Sequence, residues 1–372
     1  MKLTKHSFLI SILIVTSSCV NNPNVNDNNQ TMNLLWSHEY EIIDAPSAVP
    51  KVIQNNFLIY TGSIGLKMID ITDGKLIWKN EVDDNRAVNT VSLLLNREKI
   101  FTVDEKKFKG WDIKTGKKIF QIGAEENILL YDRGRNEVFE NGYALIGDTL
   151  DLYVLEEDGN IKYTIDIPFA TNGVEYYDNR LFLGQFKTVT GALTLGRITA
   201  LDAQTGDSLW AFDTDQGGFT WAAPIVEDGV LYASTIGNSS GEIAIALDAE
   251  TGEELWRQTN EIFTFNSALG PTHYYINTSG SLAALNKQTG AIEWRVDWEG
   301  SDFNKPVYLA GYVYHVRDKE MLIINDADGE VVHHEPVPDG TYFWHVAASN
   351  DKIFAQTSRQ LIAYQPWHLM VE

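Results

Sequence analysis

Short apolar runs separated by turn-forming clusters fill this chain from Leu34 onward, and no repeat carries a 3.6-period apolar stripe long enough for a helix. Pro224-Ile225-Val226 and Val230-Leu231-Tyr232 flank Glu227-Asp228-Gly229, which predicts a strand, a tight Asp-Gly turn and a second strand. The apolar segment Glu242–Leu247 then leads into Leu247-Asp248-Ala249-Glu250-Thr251-Gly252-Glu253-Glu254-Leu255-Trp256. That phrase reads as the end of a third strand, a turn and the start of a fourth. In the turn, Asp and Thr oxygens can accept nearby backbone N–H groups and Gly can take a positive φ.

The phrase recurs. A second strong copy is Leu201–Trp210; weaker copies run Ile69–Trp78, Trp111–Phe120 and Leu285–Trp294, with decayed ones at Leu155–Tyr163 and Ile324–His333. Their glycines stand at 74, 116, 159, 206, 252, 290 and 329, in steps of 38 to 47 residues. A fixed period of about 40–50 residues marks a propeller or a solenoid. Four short antiparallel strands per period make a propeller blade, and the lack of helical stripes excludes helix-pair solenoids. The seven phrases undercount. Leu34-Leu35-Trp36 has the look of a fourth strand without its first three, and Trp36 stands 42 residues before Trp78. His345–Ala348, Lys352–Gln356 and Gln360–Tyr364 give three strands without a fourth. The expected fold is all-β: an eight-bladed β-propeller of four-stranded antiparallel blades, its ring closed by the N-terminal strand joining the last blade. Seven blades is the alternative. Residues 34–372 form the single expected domain.

Residues 1–18 read as a signal peptide, with Lys2 and Lys5 ahead of the apolar run Phe8–Val15. That run is shorter than the roughly 20 residues a bilayer span needs. Cys19, the chain's one cysteine, follows Thr16-Ser17-Ser18 and is the expected lipidation site, since the segment resembles a bacterial lipoprotein cleavage box. Residues 19–33, polar and Asn-rich, read as a disordered tether. Residue 20 is Val; Asp there would be the inner-membrane retention signal of lipoproteins, so the resemblance implies an outer-membrane anchor, periplasm-facing. The net charge of −22 makes nucleic acid and anionic lipid surfaces poor partners.

The pattern Ala-x-Asp-x-x-Thr-Gly-x-x-x-Trp at Ala200–Trp210 and Ala246–Trp256 resembles the pyrroloquinoline-quinone-like repeat. The resemblance covers roughly residues 34–365 and implies one of two classes: eight-bladed quinoprotein dehydrogenases, or non-catalytic BamB-type lipoproteins of the outer-membrane protein assembly machinery. The dehydrogenases carry an adjacent cysteine pair, which a chain with one cysteine cannot form, and Cys-x-x-Cys-His is missing too. No catalytic residue, cofactor or metal is therefore expected. Gly237-Asn238-Ser239-Ser240-Gly241 fits a hydrolase pattern but precedes a strand rather than a helix. Asp326-Ala327-Asp328-Gly329 resembles part of a calcium loop but lacks its leading ligand and closing Glu. In His333-His334-Glu335, adjacent strand residues point to opposite faces.

One constellation remains. Phe219, Trp221, Phe263, Phe265, Phe303, Tyr342, Phe343 and Trp344 fall in four successive blade-to-blade junctions, accompanied by Asp213, Asp215, Glu261, Asp297, Glu299, Asp302 and Asp339. The rings either pack inside the first strands or form a binding face. As a face with carboxylates, they would favour an envelope-protein partner presenting Lys or Arg. The expected function is a lipid-anchored protein-binding scaffold, with membrane contact through the anchor alone. The alternatives are a small-ligand or glycan sensor using an aromatic channel mouth, and a quinone-dependent dehydrogenase. The partner-binding Leu-x-Leu-Arg-Gly-type segment of the BamB-type proteins has no counterpart with Arg in 215–224 or 297–306.

Overall fold

The computed structural model describes residues 31–371 apart from 41–48, 54–55, 62–64, 81–92, 96–98, 105, 124–127, 132–135, 140–141, 148–149, 190–192, 220–222, 237–240, 260–265, 279 and 301–303. Cys19 and the expected signal segment lie outside the described residues. One compact unit begins at Met32, whose side chain is buried.

The described strands form eight four-stranded antiparallel sheets, and these are not equivalent. Seven are continuous blades of four consecutive strands each: blade 1 (β2–β5, residues 51–79), blade 2 (β6–β9, 93–122), blade 3 (β10–β13, 137–166), blade 4 (β14–β17, 170–214), blade 5 (β18–β21, 225–258), blade 6 (β22–β25, 266–297) and blade 7 (β26–β29, 307–336). The remaining sheet is composite. It joins β30 (Phe343–Ala348), β31 (Ile353–Thr357) and β32 (Gln360–Tyr364) to β1 (Leu34–Glu39) from the other end of the chain. Trp36 lies opposite Ala363 and His38 opposite Leu361, so β1 covers the edge that β32 would otherwise expose.

Strands inside a blade are covered on both faces, so they read as unbroken apolar runs. Gly142–Ile146 and Ala244–Leu247 are buried throughout. Outermost strands alternate: in Glu254–Gln258 Trp256 is buried while Leu255 and Arg257 face solvent.

The repeated phrase has two tasks. Within a blade, Asp248 Oδ1 accepts the N–H groups of Glu250 (3.0 Å) and Thr251 (2.8 Å), and Gly252 takes φ +75°. Between blades, the closing aromatic lies on the next blade's glycine. A Cβ at Gly252 would stand 2.6 Å from the Trp210 ring, and one at Gly290 2.4 Å from Trp256. The same indoles donate to carbonyls of that next turn: Trp210 to Ala249 (3.3 Å), Trp256 to Lys287 (2.8 Å), Trp294 to Asp326 (2.7 Å). Trp36 of the composite sheet does the same to blade 1, donating to Ile71 at 3.0 Å above Gly74. The Gly and the Trp of the phrase are thus two halves of one inter-blade clasp.

Candidate binding face

Antiparallel alternation sends to one end of the propeller both the junctions from fourth strand to next first strand and the hairpins between second and third strands. Two of the aromatics read from the sequence meet solvent there: Tyr342 is 48% and Trp344 37% exposed. Two do not, and are corrected: Phe219 is 1% and Phe343 3% exposed. Phe219 packs with Phe182, Ile198 and Leu231, and Phe343 with Tyr314 and Val346. Strand alternation separates Phe343 from Trp344, which turns outward and donates from Nε1 to Ser358 Oγ at 3.0 Å. Trp221, Phe263, Phe265 and Phe303 lie outside the described residues.

The hairpins bring in residues that sequence reading missed. Arg197 of β16 (Leu193–Asp202) lies directly opposite Asp213 of β17 (Ser208–Thr214) and pairs with it bidentately at 2.6 and 2.8 Å. Those hydrogen bonds hold the Asp213 carboxyl below its ordinary range. The Arg197 guanidinium also lies 4.7 Å from the centre of the Phe169 ring. Next door, Arg257 bonds Glu254 and Gln216 and lies 5.8 Å from the Phe212 ring. Phe169, Arg197, Asp213 and Arg257 line a cleft of about 490 Å³ together with Leu195, Thr214 and Asp215. Further round, Arg317 sits 5.4 Å from Trp298 and bonds Glu320, while Lys319 sits 5.5 Å from Tyr342. Burial would raise Asp339, but hydrogen bonds from Thr341 and Thr357 outweigh it and leave the carboxyl lowered.

The chain's own cations therefore already cover several rings of this face and neutralise several of its acids. A partner's Lys or Arg would have to displace them, so the rings offer apolar surface rather than open cation sites. Hairpin register was the available signal: Arg197 opposite Asp213 and Arg317 opposite Glu320 are cross-strand partners.

The motifs set aside on sequence have structural partners at the other end and rim. Asp326 Oδ1 accepts the Tyr275 hydroxyl at 2.6 Å and faces His273 Nδ1 at 2.7 Å, while His273 Nε2 lies 2.7 Å from Glu293. This chain of polar groups, buried at His273 and Asp326 and exposed at Glu293, joins blades 6 and 7. His333 turns to Glu335 (2.9 Å) and stacks on Trp367, whereas His334 turns to Glu320 (2.9 Å). Among the described residues no group of three His, Cys, Asp or Glu is arranged to hold a metal, and no helix is long and apolar enough to cross a membrane.

A family model described as outer membrane protein assembly factor BamB matches residues 194–269 and 239–366. The outer membrane protein assembly factor BamB of Alkalilimnicola ehrlichii is 32% identical over 191 residues, covering 46% of this chain and 47% of its own. The quinohemoprotein alcohol dehydrogenase ADH IIB of Pseudomonas putida is 29% identical over 141 residues, covering 34% of this chain and 20% of its own. The chain thus spans about half, or less, of the length of these relatives. The crystal structure of BamB from Moraxella catarrhalis aligns over 91% of this chain and 99% of that one, at a TM-score of 0.69 and 15% identity, a likeness of fold.

Proposed function

The chain carries a BamB-type repeat domain on a β-propeller, and we propose that it is a non-enzymatic envelope scaffold that takes part in outer-membrane protein assembly. In this reading residues 1–18 are removed and Cys19 is lipidated, holding the propeller at the outer membrane. The similarity to quinone-dependent dehydrogenases is one of repeat, because a single cysteine cannot supply their adjacent pair. A propeller is a scaffold for unrelated activities, so function must rest on a site.

The observation that carries the reading is the exposure of Tyr342 and Trp344 on a face where Lys319 already covers the Tyr342 ring and Arg317 is paired with Glu320. Large rings beside satisfied polar groups bury apolar area at little desolvation cost, and such anchors are worth about 2 kcal/mol or more at an interface centre. Trp344→Ala should lose the envelope proteins captured with the full chain from gently solubilised membranes, at an unchanged melting temperature. Glu250→Ala, in a turn at the opposite end, should capture them as the parent does. Equal capture by all three would refute the face. The anchor is tested separately: Cys19→Ala should lose fatty-acid label and salt-resistant membrane association, and label that persists on the variant would exclude Cys19.

A further inference from the structure

The first strands of the blades line the axis. Counting each from its partner strand reveals one level running round the wall. The residue opposite the third position of the second strand is Lys51 in blade 1, Leu94 in blade 2, Glu137 in blade 3, Glu175 in blade 4, Ile225 in blade 5, Ala268 in blade 6 and Val307 in blade 7. Carboxylates occupy this level only in two successive blades of the seven. Their directions follow from alternation. Phe139, two residues beyond Glu137, stacks on Tyr176 of blade 4 at 4.9 Å, so Glu137 faces blade 4 as well. Glu175 lies between Val174 and Tyr176, which pack toward blade 3, so alternation turns its side chain the other way, toward Val226 of blade 5. Glu137 thus stands at the seam of blades 3 and 4, and Glu175 at the seam of blades 4 and 5.

Both carboxylates are half-buried beside their seams. Glu137 Oε1 accepts the N–H of its own neighbour Val138 at 3.0 Å. Burial pushes the Glu137 carboxyl up to about 8, with the Glu175 charge adding to the rise and Lys51 opposing it. Burial pushes Glu175 up to about 7 against the Val226 N–H, Lys305 and Lys51. Lys51 and Lys305 act through space from blade 1 and from just before blade 7. On the other side of β10 (Glu137–Phe139), strand β6 (Leu93–Leu95) carries no ionisable residue.

We propose that Glu137 and Glu175 are a proton-responsive clamp at two successive blade seams: protonated, they let blades 3, 4 and 5 close on one another, and ionised, they loosen the inner edge of those seams. Both carboxyls have folded values raised above the ordinary 4.5. The folded chain then binds more protons than the unfolded one between about pH 4.5 and about pH 8. The penalty is absent below that window, grows as pH rises through it and is complete above it.

The test is the melting temperature of the full chain against pH, for the parent, Glu137→Gln, Glu175→Gln and the exposed control Glu250→Gln. Each seam variant should melt above the parent near about pH 9, with the gap closing toward about pH 5, while the control gap stays flat. A seam gap that does not change with pH, or a seam variant that melts below the parent near about pH 9, overturns the clamp. If the Gln variants fail to fold, the parent decides by carbon NMR of its glutamate carboxyls. Two that titrate above about pH 6 support the clamp, and a full set that titrates below about pH 6 overturns it.

Discussion

Blade 5 and the composite sheet solve the same problem with and without a covalent turn. In blade 5 the chain runs from β20 (Ala244–Asp248) through the Asp248–Gly252 turn into β21 (Glu254–Gln258), and Asp248 N–H donates to Glu253 O at 2.8 Å. In the composite sheet the chain is cut at that point, yet Gln365 N–H donates to Asn33 O at 2.9 Å. Asn33 stands three residues before Trp36, as Glu253 stands three before Trp256. The turn's backbone bond survives without the turn. Its Asp side-chain bonds are replaced by Asn33 Nδ2 donating to Gln365 Oε1 at 2.9 Å. The missing glycine seat is replaced too: His333 of blade 7 stacks on Trp367 at 4.7 Å, and Met32 N–H reaches the buried Glu335 at 2.7 Å. The repeat's chemistry is therefore separable from chain continuity. What the cut removes is the tether between β32 and β1, so this sheet is where local opening should begin.

The largest effect expected from breaking the comparison is removal of β1. Deleting residues 31–40 uncovers the β32 edge and takes the clasp off Gly74. Loss of the Trp36 ring alone should cost about 3–5 kcal/mol. The melting temperature should fall and light scattering should rise on heating; unchanged melting would make β1 dispensable. Trp256→Ala, in a continuous blade, should cost a similar amount.

A smaller effect sharpens the comparison. Gly74→Ala and Gly252→Ala each force a left-handed residue, with φ of +74° and +75°, and each puts a Cβ within 2.5 or 2.6 Å of an indole. Both should cost about 1–3 kcal/mol in denaturant titrations. Near-equal losses would mean that Trp36 is seated as firmly as Trp210. A much smaller loss at Gly74 would mean that the non-covalent strand simply shifts aside.

The smallest effect concerns the cut itself. Asn33→Ala removes one side-chain bond and should cost about 0.5–1.5 kcal/mol. Hydrogen exchange should quicken in β1 and β32 ahead of the other sheets. Uniform quickening throughout the propeller would show that the composite sheet is no weaker than its neighbours.

Read from its residues, the chain itself determined the blade. Asp-x-x-Thr-Gly is a local turn whose geometry depends on nothing distant, and the Trp at a fixed offset had to meet the next glycine once blades were stacked. The pairing of Leu34–Glu39 with Gln360–Tyr364 was legible as well, because an orphan fourth strand and an incomplete blade complement each other. Tertiary structure alone decided which rings reach the candidate face. Phe343 and Trp344 are neighbours of similar chemistry, and only the position of β30 against Tyr314 determines which is buried. Arg197 and Lys319 reach the face through hairpins on other strands, so no run of sequence contains both a ring and its cation. Glu137 and Glu175 look like any two surface acids in a chain with 51 of them. It is the register of two inner strands that sets both at one level of the wall, at successive seams, and partial burial there that gives their charge a cost.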